Sequence, residues 1–265
     1  MLYSVQSRTH VIHVFVPAQL TLYTCLQIFK ITDITWNMFE SFSAVTSSWE
    51  YLFGGISVTL SLVAVSLLVG FVCGLMLTLG QVYGPWAARR GVDVYVWFFR
   101  GLPNIVLLFL FYFAFFPMIG VNISPFAVAV TVLGLRSAAY QSQIFRGAIQ
   151  SIADGQMLAA RSLGMTKIQA VRYVILPQAL RLSLPGWSNE YPVLLTDSAV
   201  AYLIGVAELL TRTSQMISRT GEPMLLYLTC AIIFILLNYG GMVLIQYIEK
   251  KVRIPGIGHV EGGDV

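Results

Sequence analysis

Arg136 and Asp197 are the residues whose chemistry stands out first, because each is an isolated charge within a long apolar stretch. An ionisable group at membrane depth is costly unless it is paired or hydrated, and it usually faces a bundle interior or a cavity. Counting from the ends of their segments puts the two at similar depth on antiparallel spans. Two readings stay open at this point. The pair can hold two helices together permanently. Alternatively it can line a path, where the guanidinium takes a carboxylate bidentately and the Asp meets an ammonium, the two ends of a zwitterion. Asn189, Glu190 and Ser198 fall on the same segment as Asp197. Glu190 precedes Asp197 by seven residues, which puts both on one helix face. Glu190 therefore either extends the path or reaches water at the interface.

Other chemistries find no support. The three cysteines, Cys25, Cys73 and Cys230, lie far apart without metal-ligand spacing, and the three histidines, His10, His13 and His259, sit near the termini. No catalytic constellation and no metal site is expected. The chain has no GxxxxGK[ST] loop to cradle nucleotide phosphates, so it is not expected to bind or hydrolyse ATP.

The elements that must position these residues follow from composition. Of 265 residues, 57% are hydrophobic and 11% charged, against roughly 25% charged in soluble domains. Tyr51 to Ala88, Gly101 to Leu135 and Pro223 to Ile248 carry no charge at all. A spanning helix needs roughly 20 apolar residues, and the pattern predicts five spans near 52–80, 102–118, 124–144, 186–206 and 223–248. The fold class is thus an all-α membrane protein. Eleven of the 16 Lys and Arg fall between spans one and two, between spans three and four, or after span five. That bias predicts a cytoplasmic C-terminus and a net basicity owed to membrane topology, with no nucleic-acid partner. Residues 1–50 are expected to be interfacial or partly ordered, with 11–29 a weak candidate for an extra span; 51–250 form the membrane domain and 251–265 a cytoplasmic tail. Gly70 and Gly74 form a GxxxG, read mainly as a packing device.

The segment at about 147–185 is too patterned for a simple connector. Ser151 or Asp154 can cap a short helix through Leu163, Gly164 suits a left-handed turn, and Thr166 can cap a second helix that Pro177 ends or kinks. Ala159 and Ala160 would present a low-relief surface beside the turn. Leu158, Ala159, Ala160, Gly164 and Met165 are the candidate docking residues.

LAARSLG at Leu158–Gly164, followed by ILPQALR at Ile175–Arg181, resembles the cytoplasmic signature of permease subunits of ATP-binding cassette (ABC) importers. FFRGLPNIV at Phe98–Val106, AAYQSQIFRGAIQSI at Ala138–Ile152, WSNE at Trp187–Glu190 and IGVAEL at Ile204–Leu209 are similar to the branch that includes histidine, arginine and glutamine permeases. Leu158 stands where the signature has Glu, and Thr196-Asp197-Ser198-Ala199-Val200 stands where the family has Lys-Asp-Thr-Ser-Leu. The resemblance implies a type I importer fold in a prokaryotic inner membrane. It implies uptake of polar amino acids, a second permease subunit (itself or a relative), a separate ATPase dimer carrying ATP and Mg, and an extracytoplasmic solute-binding protein. It implies no cofactor on this chain. Related permeases often carry Asn where Arg136 stands, which points to a carboxylate-rich substrate. The competing readings are an ATPase-independent transporter or channel and a membrane scaffold. An inverted repeat, the usual mark of the former, is not visible.

Overall fold

The computed structural model describes residues 3–7, 10–14 and 49–252. Two short strands, β1 (Tyr3–Ser7) and β2 (His10–Val14), pair antiparallel with Tyr3 opposite Val14 and Ser7 opposite His10. The hairpin lies outside the all-α membrane core, and its second strand overlaps residues 11–14 of the candidate span at 11–29; residues 15–48 and the tail from 253 lie outside the described residues. Nine helices follow among the described residues.

Helix α1 (Trp49–Tyr83) carries no charge after Glu50 and runs 35 residues. Gly84 and Pro85 end it, and Pro85 sets the entry of α2 (Trp86–Gly101). Leu102 is held extended by the following Pro103, and α3 (Asn104–Met118) leaves at 107° to α2. A turn with Gly120 at positive φ leads to α4 (Pro125–Gln150), where Ser124 caps the first turn and Pro125 supplies a preset φ. Helix α5 (Asp154–Ser162) is short. Helix α6 occupies residues 167–187. Helix α7 (Glu190–Ile204) ends in a 3₁₀ turn, and α8 (Leu209–Thr220) leaves it at 50°. Helix α9 (Pro223–Val252) closes the described chain.

Helices α1 and α9 are each long and apolar enough to cross a membrane, and the bent pairs α2–α3 and α7–α8 each pass the same test as a unit. The expected third span is α4, which is less apolar because it carries polar residues. Those residues are turned inward: Ser137, Gln141 and Ser142 are all buried against neighbouring helices. The expected fourth span, 186–206, does not begin where expected. Helix α6 continues past Pro177 to Trp187, breaks at Ser188 and Asn189, and resumes as α7.

Pro177 fails to end its helix for a local reason. The turn before it is wound as a π-segment (Val171–Ile175), in which the Leu176 N–H reaches back to the Val171 carbonyl. The wider turn relieves the clash that Pro brings to a regular helix. Pro117 is accommodated in the same way, after a π-segment at Leu110–Phe115.

The centre of the bundle is the seam between α1 and α4, and it depends on small residues. A Cβ added to Gly70 would fall 2.9 Å from Ser137 Cβ, and one added to Gly74 would fall 3.1 Å from the Ala138 carbonyl oxygen. The GxxxG of α1 is therefore spent inside the chain, on α4. Thr78 Oγ1 donates across the same seam to the Ser142 carbonyl at 2.9 Å. Leu62 and Val63 of α1, Leu107 and Leu108 of α3, Val132 and Leu133 of α4, and Leu194 and Leu195 of α7 fill the core around it. Exposed Ile235, Leu236, Val243 and Leu244 leave much of α9 apolar on its outside.

Candidate functional site

Arg136 projects from the middle of α4 and makes a salt bridge through Nη1 to Asp197 Oδ2 on α7, the single salt bridge among the described residues. Both side chains are about four-fifths covered, at 18% and 21% relative exposure. The pairing expected from depth is thus present. Tyr140, one helical turn beyond Arg136, places its ring 5.2 Å from the Arg136 guanidinium carbon. Arg100, at the end of α2, puts its own guanidinium carbon 4.8 Å from that same ring. Two guanidinium groups thus lie near one ring, which attracts each of them while the two repel each other. Arg136 Nε is buried and has no hydrogen-bond partner.

A second polar cluster adjoins it, starting at Ser137, the next residue of α4. Glu190 is 6% exposed, so it does not reach water at an interface. Ser137 Oγ donates to Glu190 Oε2 at 2.8 Å. Gln141 Nε2 donates to Ser137 Oγ at 2.9 Å and lies 3.3 Å from the Leu67 carbonyl of α1. Trp187 Nε1 donates to Gln141 Oε1 at 2.8 Å. The chain Trp187–Gln141–Ser137–Glu190 therefore links the last turn of α6 to the first turn of α7 through α4. Buried polar groups that are satisfied in this way fix one arrangement of their helices.

Glu190 and Asp197 do face the same neighbour, α4, as their spacing requires. Asn189 is exposed at the break between α6 and α7. Ser198 is wholly buried, and its hydroxyl donates to the Leu195 carbonyl at 2.7 Å. Its hydroxyl is thus committed within α7. Sequence reasoning missed Arg100, Tyr140, Ser137, Gln141 and Trp187. The available signal was the i, i+4 spacing of Arg136 with Tyr140 and of Ser137 with Gln141 inside α4.

The loop between α4 and α6 has the expected helix–turn–helix form, with two corrections. Neither Ser151 nor Asp154 caps α5. The N-cap is Ala153, with no side-chain bond, while Ser151 Oγ turns back to the Ala148 carbonyl at 2.8 Å. Asp154 instead sits in the first turn, where its charge suits the helix dipole. Ala159 and Ala160 do not form one surface: Ala159 is exposed, whereas Ala160 is 4% exposed and turned into the chain. The residues that stand out are Leu158, Leu163 and Ile168.

The turn itself is as expected. Gly164 has φ +83°. Its N–H bonds the Arg161 carbonyl at 3.0 Å, and the Met165 N–H bonds the Ala160 carbonyl at 3.2 Å. This paired pattern is a Schellman motif, and it needs the left-handed residue that Gly supplies without strain. Thr166 then caps α6: the Gln169 N–H donates to Thr166 Oγ1 at 3.3 Å, and the Thr166 N–H donates to Gln169 Oε1 at 2.8 Å. Met165 is half-buried. Beneath the loop, Met157 packs with Ile149, Ile175 and Ala179, next to Tyr83 at the end of α1.

Residues 66–254 match the profile of the binding-protein-dependent transport system inner membrane component family. A probable amino-acid ABC transporter permease protein of Bacillus subtilis is 35% identical over 83% of this chain and 97% of its own length. The glutamine transport system permease protein of Escherichia coli is 30% identical over 80% of this chain and 97% of its own. Among solved structures, an amino acid ABC transporter crystallised with histidines superposes with a TM-score of 0.72 at 32% identity, covering 79% of this chain and 98% of that one. The profile spans well over half of the chain and the relatives are covered almost end to end, so this chain belongs to the family of inner-membrane permease components of binding-protein-dependent ABC transport systems, in its amino-acid branch.

Proposed function

We propose that the chain carries polar amino acids into the cytoplasm as one permease subunit of an importer driven by a separate ATPase dimer. A solute-binding protein delivers substrate from outside, and a second permease subunit completes the path. The Gly164 turn is the observation that carries this reading. It holds α5 and α6 in a fixed angle and leaves Leu158, Leu163 and Ile168 uncovered at one end of the bundle, an apolar set suited to docking in a partner groove. In this reading that end is cytoplasmic, ATP and Mg are bound by the ATPase, and the C-terminus lies on the same side.

The substrate path runs past Arg136, Asp197 and Glu190, with Arg100 and Tyr140 beside them. Two guanidinium groups against one ring, with Asp197 salt-bridged to only one of them, support recognition of a substrate carboxylate. Asn189 and Ser198 keep positioning roles at the break and inside α7. The deciding experiment is purification of the tagged chain from its native membrane, followed by reconstitution. The expected outcome is a co-purified ATPase subunit and ATP hydrolysis stimulated by an amino acid. Uptake that persists in vesicles without nucleotide, with no ATPase retained, would point instead to an ATP-independent transporter.

A further inference from the structure

Helix α2 has two faces of different chemistry. Its inner face, with Val92 and Phe99 buried and Tyr95 donating to the Leu135 carbonyl at 2.8 Å, packs on α1 and α4. Its outer face carries Trp86 at 73% exposure and Trp97 at 76%, with Val94 also exposed. Helical spacing puts Trp86, Arg90 and Trp97 on one line, Val94 and Ala87 to one side of it, and Arg89 with Asp93 to the other, while the Arg100 guanidinium is turned to the Tyr140 ring. Arg90 lies 5.9 Å from the Trp86 ring centre. Exposed Trp beside Arg, on a helix with one apolar and one cationic flank, is the composition of a segment lying in the plane of a membrane surface.

The geometry around α2 agrees with that placement. Helix α1 ends at Tyr83, and α2 begins three residues later. Helix α2 meets α3 at 107°, so the pair turns a corner in place of a straight crossing. Lys167, the first residue of α6, holds its Nζ 5.5 Å from the Tyr83 ring centre. Arg89, Arg90 and Lys167 therefore lie near the end of α1, with Arg89 Nε donating to the Gly84 carbonyl at 3.0 Å, and Asp93, the one acid on α2, already accepts from Gln81 Nε2 at 2.6 Å.

From this arrangement we infer that the outer face of α2 is a binding surface for anionic phospholipid headgroups, with Trp86 and Trp97 seated at the acyl boundary and Arg89 and Arg90 on the phosphates. Charge complementarity and continuity with the end of a membrane span favour lipid over protein as the occupant.

The test uses the importer complex as purified, placed in nanodiscs of phosphatidylcholine mixed with phosphatidylglycerol. Lipid retained after delipidation is measured by native mass spectrometry. The expected result is selective retention of phosphatidylglycerol, with apparent affinity lowered roughly thirtyfold in Arg89→Gln, Arg90→Gln because each cation near an anionic surface contributes a factor of about five. Lys250→Gln, Lys251→Gln, at a distant basic site, should leave the selectivity unchanged. Equal selectivity in wild type and the α2 variant overturns the inference, as does loss only in the Lys250, Lys251 variant. In a second readout, brominated phosphatidylcholine should quench wild-type fluorescence more than that of Trp86→Phe, Trp97→Phe. Equal quenching would mean that a protein partner covers this face, and would also overturn it.

Discussion

The Trp187 indole donates to the Gln141 side chain at 2.8 Å, and through it the end of α6 is tied to the carboxylate of Glu190. Helix α6 starts at the Gly164 turn, so this bond joins the proposed docking loop to the proposed substrate path without leaving hydrogen-bonded or helical structure. Replacing Gln141 by Leu removes the link and leaves the half-buried Trp187 N–H without its acceptor. A loss of about 1–3 kcal/mol in stability is expected, together with ATP hydrolysis that no longer responds to substrate. Thermal unfolding and stimulated ATPase activity check the two parts. Normal stimulation in a folded Gln141→Leu complex would remove the coupling role.

Gly164→Val should abolish transport while membrane insertion stays near normal. The residue sits at φ +83°, a conformation that a β-branched side chain resists, yet a Cβ there meets nothing within 4 Å. The damage therefore comes from the turn and the partner, not from a clash inside the chain. Co-purification of the ATPase and uptake are the measurements, and unchanged values for both would refute the loop as the coupling element.

Arg136→Leu strands Asp197 away from water and should cost about 3 kcal/mol. Adding Asp197→Leu should restore assembly, because the double variant leaves no unpaired charge. Transport should stay lost in the double variant if the pair lines the path. Full uptake by that variant would leave the pair a purely structural one.

Gly70→Val should fail at assembly. Its side chain would enter the α1–α4 seam at Ser137, and overpacking of a close seam costs about 1–3 kcal/mol. Gly91→Val, on the open side of α2 where a Cβ meets nothing within 4 Å, is the matched control. Equal yield of folded protein for the two would contradict the seam as described.

Labelling from either side of the membrane checks the orientation. Ser218→Cys lies on the exposed part of α8, and Ile168→Cys on the exposed part of α6. In a background without native cysteines, the first should react from outside and the second from the cytoplasm. The reverse pattern would invert the topology.

The parts legible in the sequence were those in which one residue type carries a large physical cost. A charge in an apolar run must be paired, and Arg136 and Asp197 were found for that reason. A turn at positive φ needs Gly, and Gly164 was found for that reason. Helix α2 was not legible as an element because Arg89, Arg90 and Arg100 read as a charged connector, and the amphipathic stretch is only sixteen residues long. The direction of Ala160 depends on how α5 rolls onto α6, which no local pattern specifies. The cap at Ala153 escaped notice because nothing in its side chain marks it. The passage of α6 through Pro177 rests on a π-turn at Val171–Ile175, which no residue type in that stretch announces.

Helix α6 is unbroken over residues 167–187, a rod of about 30 Å at 1.5 Å per residue. A rod pivoting near one end converts angle into distance. A tilt of about 10° imposed at Thr166 would displace the Trp187 end by roughly 5 Å, further than a hydrogen bond can stretch. A tilt of that size would part Trp187 from Gln141, so the bond holds only while α6 keeps the angle seen here.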